Sequence, residues 1–510
     1  MKPSALVKLS LFIKRFRVIL AFVLLMPCSF IQGQGISNLW LMGYDCGAPA
    51  ICGGTNIDFY SGTADTLHVN RSMNFRQTFA GISDVHGQLQ FYTNGVSIAN
   101  RNNQIMVNGD SLNPSPYTDT WRADGLKLQQ GDLVLPSLQD SSVYYLFHET
   151  VFYFNNIYQP VELLYSKIDM RLDSGRGAVV FKNVPIISDT LLYGGVTACK
   201  HADGRDWWII CHRYDSDIWY TLLLTPFGIQ GPFTQHAGQY IYDGGGGQSV
   251  FSPDGTKFIR HQINNNLDIF DFDRCNGLLS NYNHIIFYDS SGAVGAAISP
   301  NSRYLYVSEH PHVYQLDLQA SNVAASLDTI STFDGFYDPS PPFYTSFYLS
   351  HLANDGKIYI ITGNGTQWLH VINHPDSAGI ACDLQQHSFK LPTVNGTTIP
   401  NYPNFFLGAQ GGTVCDSLIT GIPSIASAPE SELLLFPNPV RNLLYITTGR
   451  FTTWSEILVF NIFGQQVSVP IHEIKNGEYQ EINTSSLIPG IYFLELKSGN
   501  GKVVKRFVKE

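Results

Sequence analysis

The chain has 510 residues, with 31 Lys and Arg against 41 Asp and Glu, so its formal net charge is −10. No basic run interrupts this acidic balance, which argues against a nucleic-acid partner because phosphates require a positive surface. Aromatic residues at 13%, 45 glycines and few helical patterns indicate an all-β protein.

The first 35 residues have the pattern of a secretory signal peptide. An apolar run over residues 18–26 follows the basic residues Lys8, Lys14, Arg15 and Arg17, and Gly33-Gln34-Gly35 supplies a small-x-small cleavage pattern. The apolar run is too short to span a bilayer. We therefore expect residues 1–35 to be removed and the mature protein to have no transmembrane segment.

Seven cysteines remain outside that segment, and an exported protein reaches an oxidising compartment in which disulfides form. Cys46 with Cys52 and Cys199 with Cys211 are close enough in sequence to form local pairs. The odd number leaves at least one thiol unpaired or in an intermolecular bond. No pair has the C-x-x-C spacing of a zinc site.

Residues 36–420 are predicted to form one domain built from a repeated unit of a turn, an apolar strand, a loop and a second strand. A marker residue in the turn recurs every 47 to 63 residues, at Gly87, Ser141, Gly204, Gly255, Ser302 and Gly356. Such a period with several strands per unit is typical of β-propeller blades, which bury their faces against neighbouring blades. The length predicts about seven blades, with six as the alternative. Residues 39–42 are expected to complete a last blade with residues 404–407.

Two of the repeated turns carry a resemblance to known folds. The strings SPDGTKFIR, from Ser252, and SPNSRYLYV, from Ser299, resemble the blade hairpins of TolB-like, WD40-like and lactonase-like propellers. The resemblance implies a fold and no particular activity, because propellers support many functions.

Four histidines recur at one position of the repeat. His148, His212, His261 and His310 follow successive markers by six to eight residues. If the preceding strand runs in one direction in every blade, these side chains lie toward one end of the ring, where imidazoles could bind a divalent metal ion. The alternative, which we favour, is a repeated loop residue without a shared target. We predict no catalytic residue and no cofactor, with the metal as the alternative.

A segment rich in Phe, Tyr and Pro, residues 333–348, suggests a platform for a glycan or protein ligand. A packed irregular connection is the interpretation we favour, since long loops need aromatic anchors. Residues 421–430, rich in Pro, Ser and Ala, are predicted to be a linker.

The C-terminal segment, residues 431–510, is predicted to be a small immunoglobulin-like β-sandwich. Short apolar strands alternate with turn signals such as Ser498-Gly499-Asn500-Gly501. Prolines 437 and 439 exclude a central position in a sheet, so we expect an edge strand followed by a tight turn.

Three blocks of this segment resemble the type A sorting domain of the type IX secretion system. They are FPNPVRNLLYI, VFNIFGQQV and LIPGIYFLELKSGNGKVVKRFVKE, in this order and at the C-terminus. The resemblance implies recognition by the type IX secretion machinery and delivery to the cell surface or the medium. It also implies a sorting signal that includes Pro437, Asn438, Pro439, Gly464, Gly490, Tyr492, Lys505 and Arg506.

Two classes of function remain for the propeller. The first is a binding module that takes a glycan or a protein at one end of the ring. The second is a secreted hydrolase or lactonase-like enzyme with a site lined by the four histidines. We favour the first, because no pair of nucleophile and base and no set of carboxylates with metal-ligand spacing is evident.

Overall fold

The computed structural model describes residues 35–48, 51–154, 156–242, 245–288, 292–413, 415, 434–436, 438–447, 456–461, 465–473, 479–498 and 501–510. The predicted signal peptide, apart from Gly35, and the predicted linker at 421–430 lie outside these residues. The chain divides into two compact units, residues 1–416 and 417–510. Within the described residues, no helix is long and apolar enough to cross a membrane.

The first unit contains seven antiparallel sheets of three or four strands among its described residues, which we number in chain order. Sheet 1 contains β1 (Leu39–Met42), β2 (Gly54–Asp58) and β3 (Asp65–Val69). Sheet 2 contains β4 (Ala80–Ser83), β5 (Leu89–Thr93) and β6 (Ile98–Asn100). Sheet 3 contains β7 (Asp132–Pro136), β8 (Val143–Phe154), β9 (Ile157–Asp169) and β10 (Ala178–Ser188). Sheet 4 contains β11 (Thr197–Lys200), β12 (Trp207–His212), β13 (Ser216–Thr225) and β14 (Gly228–Ile241). Sheet 5 contains β15 (Gly247–Phe251), β16 (Lys257–Gln262), β17 (Asn266–Asp273) and β18 (Leu278–Ile285).

Sheets 6 and 7 are separated by a two-stranded ribbon. Sheet 6 contains β19 (Val294–Ile298), β20 (Tyr304–Glu309), β21 (His312–Asp317) and β22 (Asp328–Thr332). The ribbon contains β23 (Tyr337–Pro339) and β24 (Pro342–Tyr344). Sheet 7 contains β25 (Phe347–Leu352), β26 (Ile358–Thr362), β27 (Thr366–Ile372) and β28 (Leu384–Asn395). The helical elements are short turns: α1 (Pro116–Thr120), α2 (Leu172–Gly175) and 3₁₀ turns at Gly35–Ser37, Ala324–Ser326 and Gly379–Cys382.

The predicted marker residues lie in one structural position. Each is in the turn between the first and second strands of sheets 2 to 7, and five of the six have positive φ, from 61° at Ser302 to 80° at Gly356. Glycine adopts this left-handed conformation without strain, which explains its recurrence. The spacing of the marker residues in the sequence therefore predicted the position of this turn in sheets 2 to 7 correctly.

The sheets form a closed series, as in a β-propeller. Strand β4 contacts β1 and β7, while β15 contacts β11 and β19, and β19 contacts β25. Sheets 3 and 4 are joined where the amide of Val196 donates to the carbonyl of Gln130 at 3.2 Å. Strand β28 of the last sheet contacts β2 and β3 of the first. The all-β propeller prediction is confirmed; the number of blades stays a prediction, with seven sheets of three or four strands among the described residues.

Antiparallel pairing gives the ring two distinct ends. We name the end with the marker turns the turn end, and the end where one sheet leads to the next the connector end. The first strands of sheets 2 to 7 run from the connector end to the turn end, and the second strands return. Sheet 1 is the exception: the amide of Gly35 donates to the carbonyl of Val85 near a marker turn, so β1 begins at the turn end.

After β28, residues 396–413 and 415 form a segment without regular strands, which we name the axial strap. Its side chains donate to main-chain carbonyls in and next to several sheets: Thr398 to Phe75, before β4, at 3.0 Å, and Asn401 to Asp132 of β7 at 3.1 Å and to Val196, just before β11, at 2.8 Å. The predicted pairing of residues 39–42 with 404–407 is wrong. Strand β1 pairs with β2, and residues 404–407 lie in a turn.

Two disulfides are present among the described residues, Cys46–Cys52, as predicted, and Cys275–Cys415, which was not predicted. Cys199, Cys211 and Cys382 are free and buried, so the pairing of Cys199 with Cys211 is wrong. In the β11–β12 register Cys199 lies opposite Trp208, three residues from Cys211. That offset is about 10 Å along the strand and places the two side chains on opposite faces, which a disulfide cannot bridge.

The second unit is a sandwich of two four-stranded sheets. One sheet, in spatial order, comprises β29 (Leu434–Phe436), β30 (Leu443–Thr447), β34 (Tyr479–Asn483) and β33 (Ile471–Glu473); the other comprises β32 (Gln466–Val467), β31 (Glu456–Asn461), β35 (Gly490–Ser498) and β36 (Gly501–Lys509). Buried residues that include Leu444, Val459, Leu494 and Phe507 form its core. Strand β29, before the prolines, is at an edge as predicted.

Candidate binding site at the turn end

A cavity of about 860 Å³ opens at the turn end of the propeller. Its walls come from the first strands of sheets 4 to 7 and the turns that follow them, from residues 37–40 and 59–62, and from the axial strap. A cavity of this size matches those that hold small ligands in proteins.

The floor is a network of amide side chains that crosses the ring. Gln130, just before β7, donates to the carbonyl of Ser249 at 2.8 Å and accepts from its amide at 2.7 Å. Gln248 in β15 donates to the carbonyl of Ser350 at 2.6 Å and accepts from the amide of Ala296 at 3.0 Å. The bonds to Ser249 and Ser350 reach beyond neighbouring sheets, and the bond to Ala296 joins the neighbouring sheets 5 and 6, so the network ties together the strands that form the floor.

Aromatic side chains surround the mouth. Tyr60 is 46% exposed and Phe406 is 45% exposed, while Trp40 and Phe59 are buried in the wall behind them. The hydroxyl of Tyr402 donates to the carbonyl of Leu39 at 2.8 Å, which fixes that ring in the wall. Exposed rings beside a cavity provide flat apolar faces on which a ligand can stack.

The wall is close to electrically neutral. None of the described residues that line the cavity is Asp or Glu, and Lys200 is the only Lys or Arg among them. The Lys200 ammonium donates to the carbonyl of Arg205 at 3.2 Å and lies 4.3 Å above the Trp207 ring, and burial lowers its pKa to about 8. Burial also lowers the pKa of His351 to about 4, so its imidazole is neutral near pH 7.

The axial strap supplies one side of the cavity. Asn401, Tyr402, Asn404, Phe406 and Leu407 line it. The Asn404 side chain donates to the carbonyl of Pro253 at 2.7 Å and accepts from the amide of Phe406 at 3.0 Å, so it sets the turn that presents the Phe406 ring. Sequence reasoning missed this role, although Pro400 and Pro403 were a signal against a central strand.

The four repeated histidines lie in the half of the ring toward the connector end, but each has its own surroundings. His148 is fully buried between Asn113 Oδ1, at 2.6 Å from Nδ1, and Ser166 Oγ, at 2.8 Å from Nε2. His212 packs against the Trp219 ring with centroids 4.5 Å apart.

The other two histidines also have separate neighbours. His261 Nε2 lies 2.8 Å from a Glu309 carboxylate oxygen, and His310 packs against Phe333 with ring centroids 5.4 Å apart. No group of three His, Cys, Asp or Glu side chains in the described part of the chain is placed to hold a metal ion. The geometry therefore gives no support to a metal site shared by the four.

Two carboxyl groups are buried beside His148. Asp132 lies opposite His148 in the β7–β8 register, and Glu149 follows it in the chain. Burial raises the pKa of Asp132 to about 8, and burial together with the nearby Asp132 raises that of Glu149 well above its usual value. Both groups are away from the cavity, since neither lines it.

A second buried polar cluster lies within sheet 5. The Arg260 guanidinium contacts the Asp268 carboxylate at 3.2 Å and stacks 4.3 Å from the Trp219 ring. Asp268 also accepts hydrogen bonds from Tyr282 and His284, each at 2.8 Å. Burial opposes ionisation of Asp268, but these bonds and the Arg260 charge outweigh it and lower the pKa of the carboxyl.

The aromatic segment at 333–348 is packed in part and exposed in part, and its role as a ligand platform stays a prediction. Phe336 stacks on His387 with centroids 4.1 Å apart, and Phe347 is buried. In the ribbon of β23 and β24, Tyr337 and Tyr344 are about half exposed and contact each other. This ribbon lies at the connector end and does not line the cavity.

In the second unit, Asn438 fastens the predicted tight turn to the last strand. Its side chain donates to the carbonyl of Arg506 at 3.3 Å and accepts from the amide of Val508 at 2.8 Å. The Tyr492 ring packs on Phe507 with centroids 5.6 Å apart. Gly490, which starts β35, and Lys505 are exposed, and Pro439 follows Asn438 in the turn; Pro437 and Gly464 lie outside the described residues.

Comparison with protein families identifies this second unit. Residues 434–510 match the family described as the secretion system C-terminal sorting domain. This is the sorting domain of the type IX secretion system, and it directs the chain to the cell surface or the extracellular space. No curated protein matches the chain in sequence.

Several solved structures are similar to the chain at low sequence identity. One, from Bacteroides fragilis, is described as a candidate 6-phosphogluconolactonase; it has 11% identity, covers 73% of this chain and 98% of its own, and has a TM-score of 0.43. Another of that description, from Bacteroides uniformis, has 12% identity, covers 71% and 98%, and scores 0.36. PorZ, a surface component of the type IX secretion system of Porphyromonas gingivalis, has 10% identity, covers 90% and 68%, and scores 0.27. We base no argument on likenesses this distant.

Proposed function

We propose that the protein is an exported glycan-binding module, and that the cavity at the turn end binds an uncharged segment of the glycan. The observation that carries the proposal is the pair of exposed rings, Tyr60 and Phe406, at the mouth of a cavity that no carboxylate of the described residues lines. Sugar rings present apolar C–H faces that stack on aromatic rings, and their hydroxyl groups bond to neutral amides and hydroxyls without needing a counter-charge.

Export supports this role. The sorting domain delivers the chain to the cell surface or the medium, where polysaccharides are accessible. The propeller supplies a rigid frame, because the Gln130 and Gln248 bridges cross the ring and fix the floor of the cavity. A preformed site of this kind loses little conformational entropy when a ligand binds.

The test is binding of purified full-length protein to three soluble neutral polysaccharides, a β-glucan, an α-mannan and a xylan, by affinity electrophoresis. A polysaccharide that retards the protein is then titrated by calorimetry. We expect Tyr60→Ala and Phe406→Ala each to weaken binding about tenfold, which corresponds to about 1.4 kcal/mol.

The matched control is Tyr242→Ala, because Tyr242 is an exposed tyrosine at the connector end. It should bind like the wild type. Failure of all three polysaccharides to bind, or equal binding by wild type and both cavity variants, overturns the proposal. The lactonase-like alternative depends on a site lined by the four histidines, and no geometry among the described residues favours it.

A further inference from the structure

The end of the axial strap is fastened by the Cys275–Cys415 disulfide. Cys275 lies in the turn between β17 and β18 at the turn end, and 140 residues separate it from Cys415. The bond therefore joins sheet 5 to the last described residue of the first unit. A disulfide that closes so long a loop strongly restricts the unlinked chain.

Beyond the cavity, the described part of the strap runs mostly along the surface. Leu407 is partly buried, but Gly408, Ala409, Gly411 and Gly412 are exposed. The Arg274 guanidinium donates to the carbonyl of Gly408 at 2.6 Å, and the amide of Gln410 donates to the carbonyl of Ala202 at 2.8 Å. These hydrogen bonds and the partial burial of Leu407 hold the strap at this point, and the disulfide adds a covalent restraint beyond them.

The same segment determines the shape of the cavity mouth. Phe406 lies nine residues before Cys415, and its exposed ring is held by the Asn404 turn. Arg274 adjoins Cys275 in the chain and binds the carbonyls of Lys200, at 2.9 Å, and Gly408, so one residue links the disulfide, the cavity wall and the strap. Loss of the disulfide frees the end of the strap, nine residues after Phe406.

We propose that the Cys275–Cys415 disulfide is a latch that makes the cavity ready for its ligand, and that binding is therefore confined to the oxidised protein. This inference rests on the proposed function, since it assumes that the cavity is the binding site. It assigns a role to the strap that neither the sorting domain nor the repeat explains. The reduced chain in the cytoplasm would bind weakly, and the exported chain strongly.

Closing the latch is a thiol–disulfide exchange. The Cys275 thiolate attacks the disulfide of an oxidised dithiol oxidoreductase, and one thiolate of that donor leaves. The Cys415 thiolate then attacks the mixed disulfide at the sulfur of Cys275 and releases the second thiolate of the donor. The two cysteines lose two electrons and two protons, and the donor is reduced to a dithiol.

Without the disulfide, the strap is in its bound-state position in only a fraction of the molecules, and the apparent Kd is the intrinsic Kd divided by that fraction. If that fraction is one in ten, the apparent Kd rises about tenfold. The effect is a change in affinity without a change in the aromatic residues themselves. It should appear together with faster exchange of the strap amides, because both report the same unseated state.

The experiment measures hydrogen exchange and polysaccharide binding of the full-length Cys275→Ser/Cys415→Ser variant. We expect exchange across residues 405–413 to accelerate at least tenfold and the Kd to rise about tenfold. The matched control is Cys46→Ser/Cys52→Ser, which removes the disulfide between β1 and β2 and leaves the strap latched. It should behave like the wild type in both measurements.

A second preparation covers the case in which the double variant does not fold. The control variant is folded, exported and then treated with a phosphine reductant, so that Cys275–Cys415 opens in a protein that already has its sheets. Unchanged exchange at residues 405–413 after reduction overturns the latch. If the wild type binds none of the polysaccharides, the proposed function fails, while exchange still decides whether the strap is latched.

Discussion

The two units of the chain carry their functions in different ways. In the sorting domain, the residues that indicate the function lie in contiguous blocks of sequence. The Asn438 side chain bonds to Arg506 and Val508 of the last strand, within the same small sandwich. In the propeller the cavity joins Tyr60 to Phe406, more than three hundred residues apart in the chain. A contiguous motif can therefore be recognised in the sequence, whereas a site built from residues far apart in the chain can be recognised only in the folded structure.

The largest predicted effect separates export from binding. Deletion of residues 490–510 removes β35 and β36, which form half of one sheet and contribute Leu494 and Phe507 to the core. We expect the truncated protein to accumulate in the periplasm, as measured by cell fractionation and immunoblotting. The Tyr60→Ala/Phe406→Ala chain is the matched control and should be exported normally. Normal appearance of the truncated chain outside the cell would contradict the assignment.

The next effect concerns the stability of the propeller. Asp268→Asn breaks the buried pair with Arg260 and leaves a guanidinium in the interior without its counter-charge. Breaking such a pair costs about 3–5 kcal/mol, which urea unfolding at pH 7 measures. Asp271→Asn, which alters a partly exposed carboxylate of the same strand, should cost much less. Equal losses in the two variants would refute the importance of the buried cluster.

Asp268 also makes the propeller sensitive to acid. Its pKa in the folded protein is below the ordinary value of about 4, so the unfolded chain binds more protons than the folded one near that pH. The stability that Asp268 contributes is complete above about pH 4 and is lost as the pH falls below it. The Asp268→Asn variant should lack this component of acid denaturation.

A smaller effect of opposite sign comes from Asp132. Its pKa is raised to about 8, so the folded protein holds a proton that the unfolded chain releases above about pH 4. Stability therefore falls as the pH rises from about 4 to about 8, by about 1.4 kcal/mol per pH unit, or about 3 kcal/mol from pH 5 to 7.

Asp132→Asn removes this titration and should flatten the dependence of unfolding free energy on pH. Asp124→Asn, which changes an exposed carboxylate, is the control and should keep the wild-type slope. An unchanged slope in Asp132→Asn would show that Asp132 does not hold the proton. Glu149 has a pKa shifted in the same direction, so Glu149→Gln should add to the flattening.

The smallest predicted effect is an absence of change in ligand binding. The His351 imidazole, with a pKa of about 4, and the Lys200 ammonium, with a pKa of about 8, both titrate outside the interval from pH 5 to 7. The affinity for a neutral polysaccharide should therefore vary by less than about twofold across that interval. A tenfold change would indicate a charged ligand or another site.

The sequence predicted the features that repeat or that are contiguous. The marker turns were found because a left-handed residue recurs between the first two strands, as at Gly255 and Ser302. The strands of the sorting domain were found because each is an apolar run between turn signals. Short strands such as β32 (Gln466–Val467) and β33 (Ile471–Glu473) were missed, since two or three residues give too little periodicity.

The sequence could not predict the site, for three physical reasons. The histidines recur at similar spacing in the sequence, but their partners differ: Asn113 in a loop for His148, and Glu309 in strand β20 for His261. The disulfide between Cys275 and Cys415 depends on the path of the strap, which spacing does not report. The proximity of Tyr60 and Phe406 follows from closure of the ring, a long-range property.

The most direct test of the central claim blocks the cavity and compares the two ends of the ring. Ser61, exposed at the mouth, is changed to Cys and labelled with a bulky maleimide, and Tyr242→Cys at the connector end is labelled in the same way. The three free cysteines of the described residues are buried, so labelling is selective. We expect the label at residue 61 to abolish polysaccharide binding and the label at residue 242 to leave it unchanged. Binding that survives the label at 61, or that is lost only with the label at 242, would contradict this expectation.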